Sequence, residues 1–290
     1  MSNSKRNKIM GWAFIIIPTL LITLFYFYPM FRSFILSLNS GAGVNLEFVG
    51  LDNYKRLMND PVFKKAFFNT IIFLIFQVPI MIVLAMFFSV LLNQKRLKMR
   101  GFFRTLVFLP SVTSLVAYSL VFKYLFSNNG VINQLLMSLN LVDNPILWLS
   151  HPVWAKVVII IAITWRWTGY NMIFFLSALQ NIDPQVYEAA DIDGANPIQK
   201  FFKITVPLLK PVILFTSITS TIGTLQLFDE TMNITQGGPG DATLTVSQYI
   251  YNLSFKYTPD FGYASAVSFV IAVVIIVLSL IQLKVGNRDD

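Results

Sequence analysis

Asp183-Pro184-Gln185-Val186-Tyr187-Glu188-Ala189-Ala190-Asp191-Ile192-Asp193-Gly194-Ala195-Asn196-Pro197 is the stretch on which the reading of this chain turns. Asp183 followed by Pro184 is a helix start, with an N-cap acceptor and a proline at the first helical position. Gly194 can take the positive φ that ends such a helix. Asn196-Pro197 repeats the start signal and opens a second short helix toward Phe201 and Phe202. The spacing predicts two small helices at an angle, presenting Ala189 and Ala190 as a low-relief surface that a partner's backbone could approach. An amphipathic segment lying on lipid fits the same residues. Capping chemistry alone leaves both readings open.

The sequence around this stretch is strongly apolar. Of 290 residues, 55% are hydrophobic and 12% charged, about half the charged share of an ordinary soluble domain, roughly 25%. The formal charge of +8 sits in short clusters between long apolar runs. That distribution reports membrane topology and argues against a nucleic-acid footprint. There is no cysteine, which excludes disulfides, thiolate metal sites and cysteine nucleophiles. His151, the single histidine, lies beside Pro152 at the edge of an apolar run and reads as a loop residue; a metal site needs several donors.

A membrane helix needs about 20 mostly apolar residues. Candidates lie near residues 10–37, 66–93, 104–126, 153–179, 204–228 and 261–283, giving six helices in one membrane domain spanning 1–290. The first run, Met10 to Phe31, is too long for the apolar core of a secretory signal, about 7–15 residues. Short connections set the orientation. Lys5, Arg6 and Lys8, then Lys95, Arg96, Lys98, Arg100 and Arg104, then Lys284 and Arg288 fall on one side, so both termini are expected in the cytoplasm. Lys55, Arg56, Lys64 and Lys65 disagree, lying on the expected outer side. Val131, Leu135, Leu136 and Leu139 predict a short outer surface helix, and Gln236-Gly237-Gly238-Pro239-Gly240 predicts a turn.

The spacing Glu188-Ala189-Ala190, Gly194, Ile204, Val206-Pro207 resembles the EAA motif of permease subunits in bacterial ABC importers. Val206 replaces the family's usual leucine, a mild swap within an apolar position. Gly101-Phe102-Phe103-Arg104 leading to Phe108-Leu109-Pro110 is similar to the sugar-importing branch, as are Thr235-Gln236-Gly237-Gly238-Pro239, Tyr249-Ile250-Tyr251 and Phe261 to Ala266. The resemblance implies an all-α, type I ABC importer permease fold with six transmembrane helices in a bacterial inner membrane. It makes residues 183–203 a cytoplasmic coupling loop, with Glu188, Ala189, Ala190, Asp193 and Gly194 docking an ATP-binding subunit. The implied partners are a second, homologous permease, two ATP-binding subunits holding ATP and Mg, an extracytoplasmic solute-binding protein, an oligosaccharide or related sugar, and membrane lipid. No cofactor is expected in this chain, and no nucleic acid.

The solute should meet polar or aromatic groups inside the spans. Arg166 is the clearest ionisable residue in a predicted helix, and such a residue is a functional hypothesis by default. Ile163, Arg166, Trp167 and Tyr170 share a helical face. Arg166 either contacts solute or pairs with Asp229 or Glu230 to lock helices together. The fifth span carries Thr216, Ser217, Thr219, Ser220, Thr221, Thr224 and Gln226, and hydroxyls there also serve plain helix packing. By resemblance to the maltose transporter family, the solute pathway would comprise Ser111, Leu115, Arg166, Trp167, Tyr170, Gly223, Thr224 and Leu227.

Two other functions compete. An ion-driven secondary transporter would show acidic or histidine groups in broken helices near the midplane, and internal repeats; neither is evident. A membrane enzyme would need a converging acid–base or metal constellation, and no catalytic or metal-ligating set emerges. The sequence holds no G-x-x-x-x-G-K-[ST] phosphate loop, so any ATP hydrolysis is expected of separate subunits.

Overall fold

Lipid offers no partner for a backbone N–H or C=O, so apolar runs of this length fold as helices, which satisfy both groups internally. The computed structural model describes residues 3–41, 46–94 and 96–286, with side chains from residue 11 onward. The orienting side chains of Lys5, Arg6, Lys8, Lys95 and Arg288 lie outside the described residues.

In chain order, α1 (Asn3–Ile22) runs through a π-helical turn (Thr23–Phe27) into α2 (Tyr28–Ser37). A two-stranded antiparallel ribbon, β1 (Asn39–Ser40) with β2 (Glu47–Phe48), leads to α3 (Asp52–Asn59). Then come α4 (Pro61–Asn93), α5 (Arg100–Val112), α6 (Leu115–Leu125), α7 (Val131–Ser138) and α8 (Pro152–Gln180). Next are two short helices, α9 (Pro184–Ile192) and α10 (Pro197–Lys200), with a π-helical turn (Phe201–Thr205) and α11 (Val206–Leu208). The chain ends with α12 (Lys210–Leu225), a π-helical turn (Thr231–Thr235), α13 (Val246–Tyr251), another such turn (Asn252–Lys256) and α14 (Phe261–Gly286).

Among the described residues, four helices are long and apolar enough to cross a membrane: Gly11–Ser37, Pro61–Asn93, Pro152–Gln180 and Phe261–Gly286. The remaining expected spans are not straight. Residues 104–126 break between α5 and α6 at 98°, and residues 204–228 break between Pro197–Leu208 and Lys210–Leu225 at 65°. The first break has a local cause. Pro110 removes one helical donor, Thr113 turns extended (ψ 154°), and Ser114 starts the next helix by accepting from the Ala117 N–H at 3.5 Å. The second is flanked by Pro207 and Pro211, with Leu209 buried between them.

The chain divides into two compact units, Met1–Asp60 with Ile250–Val270, and Pro61–Tyr249 with Ile271–Asp290. In the first, Asn53 donates to the carbonyls of Ser37 (2.9 Å) and Asn39 (2.8 Å), fixing α3 against the end of α2. Arg56 pairs with Asp260 at 2.7 Å and lies 3.9 Å over the Tyr263 ring, whose hydroxyl donates to Asp60 at 2.6 Å. Lys55 pairs with Asp52. Two of the four cations that disagree with the topology rule are therefore held in ion pairs. No residue in the most apolar window of Gly11–Ser37 is buried, so that stretch of the helix is open to lipid or another chain.

In the second unit α8 is the hub. Val78, Met81, Ile82 and Ala85 of α4 pack with Met172, Phe175 and Leu179 of α8 and with Leu209. Phe73, Ile159, Ile163 and Leu227 form a smaller cluster. At Gly169 an added Cβ would lie 1.9 Å from the Val107 carbonyl oxygen, so only glycine lets α8 approach α5 this closely. The predicted outer helix is α7. Buried Asn133 fastens it by donating to the carbonyls of Asn128 and Ile146 (3.0 Å each) and accepting from the Trp148 ring N–H at 2.9 Å. The Gly237–Gly240 turn has positive φ at both ends (85° and 51°). Asn69 of α4 donates to the carbonyls of Asp241 and Leu244, just beyond that turn.

Candidate functional site

Within the second unit, α4, α6, α8 and α12 enclose a cavity of about 230 Å³. Six of the eight residues expected in the pathway line it: Leu115, Trp167, Tyr170, Gly223, Thr224 and Leu227. Trp167 and Tyr170 meet edge to face at 5.7 Å, forming an aromatic corner. Gly223 faces open space, with no atom within 4 Å of an added Cβ. Thr224 donates to the Gln77 side-chain oxygen at 2.7 Å. Ser220, Asp229 and Glu230 also line the cavity. Hydroxyls elsewhere on α12 bond back to their own helix, as Thr216 does to Val212 at 2.8 Å.

Ser111 and Arg166 do not line this cavity. Arg166 is buried, and its guanidinium fills the break between α5 and α6. It donates to the carbonyls of Pro110 (3.2 Å), Ser111 (3.2 Å) and Thr113 (2.8 Å) and to the Thr113 hydroxyl (3.3 Å). They lie at the end of α5, where helical donors run out; the Pro110 carbonyl also accepts from the Thr113 N–H (3.3 Å) and hydroxyl (2.7 Å). Hydrogen bonds to a charged group are worth about 1.5–3 kcal/mol each, enough to offset a cation's few-kcal/mol cost within a span. The guanidinium carbon also lies 4.8 Å from the Tyr118 ring centroid, and the Tyr118 hydroxyl donates to Glu230. Among the described residues, no ion pair joins Arg166 to Asp229 or Glu230, so neither role foreseen for it describes the geometry; Tyr118 stands between. The helical face through Ile163, Trp167 and Tyr170 does meet the cavity, continued by Asn171. Arg166 lies at the edge of that stripe and turns to α5.

Gln77, Met81 and Asn171 are lining residues that the sequence reading did not single out. Their signal was present but weak: Gln77 and Asn171 are amides within long apolar runs.

The loop at 183–203 closes its own hydrogen bonds. Asp183 accepts from the Gln185 N–H at 2.9 Å. Asn196 and Gln199 form a reciprocal capping box at 2.8 and 2.9 Å. Gly194 has φ 75°, and the N–H of Ala195 reaches back to the Ala190 carbonyl at 2.9 Å, closing α9 in a Schellman turn. Lys200 pairs with Asp191, and Tyr187 meets Thr205 at 3.0 Å, tying α9 to α10 and the π-helical turn beyond it. Glu188, Ala189, Asp193 and Gly194 are exposed, whereas Ala190 is buried and packs inward. Ile192, Ile198 and Phe202 are 88%, 70% and 65% exposed. They make an apolar patch around the loop that the motif alone did not reveal.

Residues 58–288 match the family described as the binding-protein-dependent transport system inner membrane component. The chain belongs to this family and is a multi-pass membrane permease of the ABC importer class. It is similar to the lactose transport system permease protein of Rhizobium radiobacter, 56% identical over 274 residues, covering 94% of this chain and 92% of that protein. The arabinooligosaccharides transport system permease protein of Halalkalibacterium halodurans is 39% identical over 261 residues, covering 89% and 81%. A chain of a bacterial alginate ABC transporter, solved in complex with an alginate pentasaccharide-bound periplasmic protein, shares the fold with a TM-score of 0.83 at 24% identity, covering 98% of this chain and 96% of that one.

Proposed function

We propose that this chain is the permease subunit of an ATP-driven importer of an oligosaccharide, forming half of the translocation pathway. The observation that carries the sugar is the 56% identity to a lactose permease along nearly the whole chain. A second, related permease would complete the pathway. Two ATP-binding subunits, holding ATP and Mg, would dock on the loop at 183–203, and this chain would hydrolyse no ATP itself. A periplasmic binding protein would deliver the solute; the alginate transporter was solved in complex with a pentasaccharide-bound periplasmic protein. Both termini would lie in the cytoplasm of a bacterial cell.

The exposed Glu188–Ala189 face, the Gly194 turn and the patch of Ile192, Ile198 and Phe202 support docking at the loop. An apolar patch of this kind on a protein surface marks a contact. Against an ion-driven mechanism stands the permease family.

Ala189→Trp tests the docking. Ala189 is exposed, so the bulk meets a partner rather than the loop's own packing. Sugar uptake and solute-stimulated ATP hydrolysis should both fall to background while the chain stays in the membrane. If both persisted at wild-type rates, the loop would not be the coupling site.

A further inference from the structure

We propose that a groove between α4, α5 and α8 seats one acyl chain of an anionic phospholipid, with Arg96, Lys98 and Arg100 at its mouth meeting the headgroup.

The groove has a volume of about 520 Å³ and shares no lining residue with the polar cavity. Ile80, Leu84 and Phe88 form one wall at successive turns of α4; Leu106 stands on α5, and Ile161 and Trp165 on α8. Ile161 and Trp165 are 42% and 46% exposed, so the groove opens outward from the chain. Among the described residues, no charged side chain lines it. Such walls lose their dispersion contacts if nothing fills the space between them, and in a membrane the filler at hand is hydrocarbon.

The dimensions suit a lipid chain. From Ile80 to Phe88 the groove runs about 12 Å by helical rise, close to one leaflet's half of the roughly 30 Å hydrocarbon core. α5 has 13 residues before its break, about 20 Å of helix, and Pro110 lines the groove near that end. The three-helix groove therefore belongs to one leaflet. A helix about 10 Å across would fill roughly 900 Å³ over 12 Å, more than the groove holds, whereas an acyl chain is one methylene wide.

The charge at the mouth selects the headgroup. The stripe through Ile80, Leu84 and Phe88 runs toward the end of α4 at Asn93, and α5 begins at Arg100. Arg100 shares the face of the groove-lining Val107, two turns away. Arg104 holds the two helix ends together by donating to the Leu92 carbonyl at 2.9 Å. Arg96, Lys98 and Arg100 are exposed, and among the described residues none of them is in an ion pair. No aspartate or glutamate occurs between Asp60 and Asp143. The mouth thus gathers cations without a local counter-charge, at the depth where lipid headgroups lie, and each such cation favours an anionic lipid.

The test reconstitutes the full transporter into phosphatidylcholine vesicles. These are titrated with phosphatidylglycerol or phosphatidylcholine whose acyl chains carry bromine, a short-range quencher of tryptophan fluorescence. Trp165 is the reporter, its emission taken as the difference between wild type and Trp165→Phe, which keeps a ring against Tyr118 and Phe122. Half-maximal quenching should need roughly five- to tenfold less brominated phosphatidylglycerol than brominated phosphatidylcholine, since one cation near anionic headgroups is worth about fivefold. That ratio should fall to about one when Arg96, Lys98 and Arg100 are all changed to glutamine. It should also fall to about one in Leu84→Phe with Ile161→Phe, which fills the groove and keeps the cations. If the triple variant does not assemble, Arg100→Gln alone is read by the same titration and should lower the ratio at least twofold. Equal quenching by the two lipids in wild type would overturn the proposal. A preference that survived the filled groove would mean general enrichment of anionic lipid around a basic surface, and would overturn the seat. Absence of quenching by either lipid would mean that another protein chain covers the groove, and would overturn it too.

Discussion

The loop at 183–203 and the cavity differ in how they use their polar groups. In the loop, caps and turns are satisfied by residues a few positions away: Asp183 by Gln185, Asn196 by Gln199, Gly194 by its own helix end. In the cavity, the key bond joins Thr224 to Gln77 across 147 positions of sequence. The docking role proposed for the loop requires one shape held against a partner, and local closure provides that shape. The cavity proposed as the pathway is instead built from residues far apart in sequence.

Substitutions separate the two kinds of construction. The largest effect is expected at Gly169, outside both regions, where α8 packs on α5. A leucine there would drive its Cβ into the Val107 carbonyl. Overpacking of that sort costs about 1–3 kcal/mol or more, and thermal unfolding of the detergent-solubilised chain should show the lower Tm. Arg166→Met comes next. It removes the charged donor of the Ser111 and Thr113 carbonyls, which are only part-buried, so the loss should be about 1–2 kcal/mol in all, and Arg166→Lys should recover only part of it. Asn196→Ala removes a cap worth about 0.5–2 kcal/mol; uptake should weaken while the solute preference stays unchanged. Gly223→Ala is the smallest. Open space surrounds the position, so stability should shift by less than about 0.5 kcal/mol, and any change in uptake should depend on the size of the solute. A Gly223→Ala variant that unfolded readily would break the account of the cavity.

The loop was legible in sequence because caps and turn glycines act over a few residues; α9, α10 and the positive φ at Gly194 fall where Asp183, Asn196 and Gly194 predict them. The apolar runs were legible for the same reason, since length and composition decide a membrane helix. Their breaks were not. Pro110 and Pro207 were visible, but a proline in a span need not bend it by 98° or 65°. Arg166 shows the limit most clearly. Helical periodicity grouped it with Trp167 and Tyr170, yet the carbonyls of Pro110, Ser111 and Thr113 at the end of α5 claim its donors. Ala190 taught a similar lesson, because the motif marks it but burial assigns its small size to the loop's own packing.

The central claim is that transport through this chain is driven by ATP. The most direct measurement is labelled-lactose uptake in cells expressing the full transporter, depleted either of ATP or of the proton gradient alone. Uptake should stop on ATP depletion and continue when a protonophore collapses the gradient with ATP maintained. Uptake that survived ATP depletion and stopped with the protonophore would contradict the account and identify an ion-driven carrier.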